Sequence, residues 1–236
     1  MRESWRPYRG DFISMTRRKG CLLVVGALLG LVVSSPASAQ GVSPVPNRDQ
    51  GWGVATTVTL GSAAALQLVM PRIFYSDPET TVGWKARWHV SQLAPVMTLA
   101  LLTAANETIL KDSFADPRPG CDATNQGGPH CDTYGMMSTH AFGAGAALGH
   151  GAAVWLFDFT KWSGGRFNAG SFVGNVVLPA ILGTVTVVGR GAGNWETGAQ
   201  IATGGLTGLG FGFLVGTTYA LMARPECGYT GDLICW

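Results

Sequence analysis

Lys111 is followed, seven and eight residues on, by Arg118 and Pro119, in the string KDSFADPRP. Ser138-Thr139-His140 comes about twenty residues later, and Arg190 about fifty residues after that. Two fixed cations, then a hydroxyl and an imidazole, then a third cation make a set suited to a phosphate group. Phosphoryl transfer needs charge neutralisation on the equatorial oxygens, an in-line nucleophile and a proton for the leaving group. An arginine can give a phosphate two parallel hydrogen bonds. An imidazole can deliver a proton near neutral pH.

The elements that must position these groups are helical. Five apolar stretches follow one another at roughly 54–70, 91–110, 138–157, 171–189 and 197–222. They are long, rich in Ala, Leu and Gly, and lack period-two alternation, which excludes strands. Most are long enough, at about 20 residues, to span a bilayer. The first is the least apolar, because it carries Thr56, Thr57, Thr59, Ser62 and Gln67. In the last, Gly204, Gly208, Gly212 and Gly216 recur every four residues. They mark a helix face that a neighbouring backbone approaches closely. The expected fold is all-α: a multi-helix bundle, transmembrane, with about five mature spans after an N-terminal signal segment.

The composition fits. Of 236 residues, 47% are hydrophobic and 13% charged, against about 25% charged in ordinary soluble domains. Residues 1–39 hold six of the sixteen Lys/Arg and two of the fourteen acids. The remainder is slightly acidic and offers no basic face to nucleic acid. Arg17, Arg18 and Lys19, then Cys21 to Val33, then Ala37-Ser38-Ala39 read as an export signal cleaved before Gln40. Met15 is a more usual start for such a signal. Residues 40–53 read as a linker, and 54–236 as a single helical domain. An uncleaved first helix would equally leave residue 40 outside the cytoplasm, which for a bacterial-type signal means the periplasm.

With residue 40 outside and five spans, the loops 71–90 and 158–170 face the cytoplasm. They carry Arg72, Lys85, Arg87, Lys161 and Arg166, in keeping with the positive-inside tendency. Lys111, Arg118, His140 and Arg190 then all fall on the outer side, as does Arg48 in the linker. Trp84, Trp88, Trp155 and Trp162 fall near helix ends and read as interface anchors, and His89 as an interfacial residue. Four cysteines form two local pairs, Cys121/Cys131 and Cys227/Cys235, each able to close a short disulfide loop in an oxidising compartment. Five spans would put the second pair in the reducing cytoplasm. If that pair is bridged, a soluble or peripheral periplasmic bundle follows instead.

The ordered pieces resemble the type 2 phosphatidic acid phosphatase superfamily, which includes lipid phosphatases, soluble bacterial acid phosphatases and vanadium haloperoxidases. Its pattern is K-x6-R-P, then P-S-G-H, then S-R-x5-H-x3-D. The first piece is complete as Lys111, Arg118 and Pro119. The second is partial, as Met137-Ser138-Thr139-His140, and the third is degraded, as Gly189-Arg190-GAGNW-Glu196-TGA-Gln200. The resemblance covers roughly residues 91–222. It implies that Lys111, Arg118 and Arg190 bind phosphate oxygens, that Ser138 and Thr139 at a helix start add donors, and that His140 is the general acid. It implies no cofactor or metal.

The departure is at the nucleophile. Where the family has an attacking His and its orienting Asp, this chain has Glu196 and Gln200. Glu196 acts as a base for water or forms an acyl phosphate, or another His such as His130 substitutes, or the pocket is kept without turnover. His150 lies ten residues into the third helix, too deep to replace it. The haloperoxidase branch is set aside, because its vanadium-ligating His is also the one replaced. The resulting expectation is a phosphatase acting on a phosphomonoester or pyrophosphate, of a lipid, at the periplasmic side of the inner membrane. The alternatives are a catalytically impaired phosphate- or phospholipid-binding protein of the same fold, and a soluble periplasmic acid phosphatase-like protein.

Overall fold

Glycine on facing helices decides how this chain packs. The structure, a computed structural model, describes residues 48–73, 93–122, 131, 133–162 and 165–222, with backbone alone at 69–73 and 162. Among the described residues there are helices and no strand. They are α1 (Gln50–Ile73), α2 (Leu93–Phe114), α3 (Thr139–Phe157), α4 (Ala169–Ala192) and α5 (Gly198–Met222). The five apolar stretches are therefore five helices.

α3 lies at the centre, with α1, α2, α4 and α5 all packed on it. Its tightest partner is α5. A Cβ added to Gly204, Gly208 or Gly212 would lie 2.4, 2.0 and 2.1 Å from the carbonyl oxygens of Ser138, Phe142 and Ala146. At Gly216 it would meet His150 O at 2.9 Å. The seam is reciprocal, since Gly145 and Gly149 would clash with Gly205 O and Leu209 O, both at 2.2 Å. α3 answers with small side chains, and Ala141, Ala144, Ala146, Ala147 and Ala153 are all buried. α1 meets α4 through a Thr59–Thr186 hydroxyl contact of 2.7 Å.

The helix ends have local causes. Asp49 caps α1 by accepting from Trp52 N at 3.2 Å. Gln50–Gly53, expected in the linker, are therefore helical. α2 runs four residues beyond its expected end through a π-turn at Asn106–Leu110. It stops at Ala115, in the left-handed conformation with φ 48°, ahead of Pro117. Ser138 caps α3, and Asn168 caps α4. α4 holds a second π-turn at Val173–Val177. Pro179 has no N–H to give the Asn175 carbonyl, which frees that oxygen from the α-helical ladder. Gly151 of α3 packs against it, where a Cβ would come within 1.9 Å.

Trp155 differs from expectation. It is buried, stacked on Phe159 and edge-on to Phe172. α3 continues through a π-turn at Asp158–Trp162, so Trp155 lies a turn and a half inside the helical run rather than at its end. The signal segment, most of the linker, Trp84, Trp88, His89, His130, Cys227 and Cys235 lie outside the described residues. Among the described residues, three helices, α2, α4 and α5, are long and apolar enough to cross a membrane by length and composition. Their outward faces carry Met97, Leu101, Ile109, Ile181, Val188 and Leu214, each more than half exposed.

The seam predicts opposite outcomes for neighbouring glycines. Gly208→Ala should destabilise the protein by about 1–3 kcal/mol through overpacking, despite a helix-propensity gain of up to about 1 kcal/mol. Gly210, where an added Cβ meets nothing within 4 Å, should tolerate Ala with no loss. Thermal unfolding followed by circular dichroism checks both, and equal shifts would remove the seam from this role.

Candidate functional site

The chain runs up and down, so every motif piece arrives at one end of the bundle. Lys111 lies in the last turn of α2 and Arg118 in the loop after it. Ser138 caps α3, with Thr139 and His140 in its first turn. Arg190 lies in the last turn of α4, Glu196 in the α4–α5 turn, and Gln200 in the first turn of α5. Lys111, Arg118, Ser138, Arg190, Glu196 and Gln200 are all buried.

Glu196 is the centre of the hydrogen bonding. Arg190 Nη2 donates to Oε1 at 3.0 Å, and Nε donates to Oε2 at 3.1 Å. Ser138 Oγ donates to the same Oε2 at 2.5 Å, while accepting from Ala141 N at 3.1 Å. Burial alone would raise the Glu196 carboxyl, but the Arg190 charge, these hydrogen bonds and the Arg118 charge hold it below its ordinary value. The group is therefore a carboxylate at neutral pH.

A second carboxylate stands beside it. Lys111 Nζ lies 2.6 Å from Glu107 Oε2, one turn back on α2. Thr139 Oγ1 donates to the same oxygen. Asn106, fully buried, donates to Met137 O at 3.1 Å and to Thr139 Oγ1 at 3.2 Å. Lys111, Arg118 and Arg190 thus face Glu107 and Glu196, which leaves the cluster one net positive charge.

His140 approaches Thr57 of α1, with Nε2 3.2 Å from Oγ1. Its Nδ1 is buried without a hydrogen-bond partner among the described residues. His150 is fully buried ten residues deeper, and its Nδ1 bonds Gln67 Oε1 at 2.8 Å. It takes no part in the cluster.

Gln200 does not orient Glu196. Its Nε2 donates to Asp116 Oδ2 at 2.6 Å and to Pro117 O at 2.8 Å, and its Oε1 accepts from Thr197 N at 2.9 Å. Its backbone oxygen accepts from Ser138 N at 3.1 Å. One residue so ties the Arg118 loop, the α3 cap and the α5 start together. Arg118 is held by Thr133 O at 3.3 Å and Trp195 O at 3.5 Å. Its carbonyl accepts from Cys121 N, and Cys121 is bridged to Cys131.

Sequence reasoning missed three participants. Glu107 was legible, since Glu-x3-Lys is a favourable helical pair. Trp195 was not: Arg190 and Arg48 stand over its ring, at 4.9 and 5.4 Å from the centroid, and its Nε1 donates to Asp49 O. Nor was the Thr57 contact to His140, which depends on where α1 packs.

Comparison of the chain with family models, with curated proteins and with solved structures gives no match.

The Glu196 environment carries a pH signature. A depressed carboxylate stabilises the fold above the ordinary glutamate value of about 4.3. That contribution is lost as pH falls through the lower folded value. Wild-type protein should lose thermal stability on acidification below about pH 4 more steeply than Glu196→Gln. Parallel melting curves across that range would show the carboxylate contributes nothing.

Proposed function

We propose that the chain is a membrane-embedded helical bundle of the type 2 phosphatidic acid phosphatase kind. Its site binds the phosphate group of a phosphorylated lipid or other phosphate ester on the periplasmic side, without turning it over. The observation that carries this reading is the burial of Lys111, Arg118, Ser138 and Arg190 together at one end of the bundle. Buried cations are costly unless anions meet them. Glu107 and Glu196 meet Lys111 and Arg190, and the three cations, brought together with Ser138 from three separate segments, exceed those two carboxylates in charge. The apolar outward faces of α2, α4 and α5 support the membrane placement. The Cys121–Cys131 disulfide beside Arg118 supports an oxidising compartment on the site's side. Five spans behind a cleaved signal would satisfy both.

Glu196 weighs against turnover. A phosphohistidine cannot form there, and both its oxygens are engaged by Arg190 and Ser138. A nucleophile needs a lone pair aimed at phosphorus. One observation favours the hydrolytic reading instead: His140 lies at the same end of the bundle as the cations, and its buried Nδ1 has no hydrogen-bond partner among the described residues.

Purified protein should release no phosphate from phosphatidic acid or a lipid pyrophosphate beyond Lys111→Ala, Arg118→Ala and His140→Ala variants. It should bind orthovanadate saturably, and the Lys111→Ala and Arg118→Ala variants should bind it at least about tenfold more weakly. Release above the variants would establish the hydrolytic reading. Absence of vanadate binding would sink the phosphate reading.

A further inference from the structure

The Glu196 carboxylate receives what an incoming phosphate would receive. Arg190 turns its two-pronged edge, Nε and Nη2, onto Oε2 and Oε1. That edge is the one guanidinium uses to hold a phosphate, and it serves one anion at a time. Ser138 adds its hydroxyl to Oε2 from the N-terminus of the 19-residue helix α3. Helix starts of this kind favour anions through unpaired N–H groups and the helix dipole. Glu196 sits on the short turn between α4 and α5, six residues after Arg190. The ring of Trp195, beside it, lies against the Arg190 guanidinium, 4.9 Å from its carbon to the ring centroid.

Arg190 is 4% exposed and Ser138 fully buried. Removal of the carboxylate would leave an unpaired buried guanidinium, a state that draws in another anion or unfolds. Lys111 does not depend on Glu196 for its place, because Glu107 holds it. Arg118 is anchored by the Thr133 backbone oxygen and gives up its longer contact to Trp195 O when the turn moves.

From this we propose that Glu196 is a built-in competitor, an internal ligand whose carboxylate holds the seat of a tetrahedral oxyanion. Resting on the phosphate-cradle reading, the proposal adds how that cradle is regulated. The site admits a phosphate when the α4–α5 turn swings Glu196 out. Apparent affinity is then reduced by the fraction of molecules in which the seat is open. The ligand class is a phosphate monoester or the free anion, which share the same three oxygens.

Titration calorimetry of wild type and Glu196→Gln with inorganic phosphate and orthovanadate tests this. Glu196→Gln should bind at least about tenfold more tightly than wild type, and Lys111→Ala added to it should abolish the gain. A second arm uses nanodiscs containing phosphatidic acid. A gain there alone assigns the seat to a lipid headgroup, and a gain with free phosphate assigns it to a soluble anion. Equal affinity of wild type and Glu196→Gln, lost from both on Lys111→Ala, would leave the cradle standing and overturn the competitor. Binding by neither protein would overturn the cradle itself. Should Glu196→Gln fail to fold, refolding of Glu196→Ala with phosphate against chloride becomes the readout. Rescue by phosphate upholds the proposal, and no rescue defeats it.

Discussion

The close approach of α3 and α5 fixes everything that happens at the site. Gly204 leaves room for the Ser138 backbone, and Gly208, Gly212 and Gly216 repeat that contact down the helix. Such contact brings backbone against backbone, where dispersion and weak Cα–H···O interactions act at short range. It also fixes register. Ser138 N reaches Gln200 O because Gly204, one turn further along α5, lies under Ser138. The α3 cap, the start of α5 and the turn carrying Glu196 are thereby set to within a hydrogen bond of one another. A larger residue in the seam would act on the site without touching any of its side chains.

The buried charges then impose their own logic. Glu196 and three cations are buried, beside a partly exposed Glu107; such charges are costly to desolvate, and the cost is offset only by close pairing and hydrogen bonds. Arg190 and Glu196 meet this with paired hydrogen bonds, and Ser138 occupies a further lone pair. Lys111 and Glu107 meet it with help from Thr139. Trp195 offers its ring to both Arg190 and Arg48, an attraction that strengthens where water is excluded. Through Arg48 and Asp49 the segment ahead of α1 is drawn into the same cluster. The site is therefore a closed network, in which no single cation is positioned by its own helix alone.

How much of this the sequence showed depends on the range of the interaction. Helix existence and the glycine face follow from local composition and four-residue spacing, and both were legible. So was the identity of the cations, because Lys111, Arg118 and Arg190 stand in an ordered pattern. The Ser138 cap was legible as a donor at a helix start. The pairing of Glu196 was not, since nothing in Arg190-GAGNW-Glu196 says that the turn folds the acid back onto the arginine. Gln200 stands where the family has an orienting Asp, and nothing in the sequence showed that its amide holds the Asp116-Pro117 loop. Trp155 was misplaced because a π-turn extended α3 past its expected end. Helix boundaries depend on caps and bulges of a few residues, which composition over a window averages away.

α3 shows why hydropathy and position must be separated. It is not among the helices apolar enough to cross a membrane by composition, and it contains two histidines. It is nevertheless the most enclosed helix, with four others around it. Its buried His150 finds Gln67 of α1, and its Gly151 finds the carbonyl freed by Pro179 in α4. A helix that meets only other helices has no need of lipid-compatible side chains, and its small and polar residues answer its neighbours instead. The burden of apolarity falls on the outer helices, where Leu101, Ile109, Val188 and Leu214 face outward. The same division lets one helix serve both ends of the design: close packing along its length, and a polar, capped terminus where the charges gather.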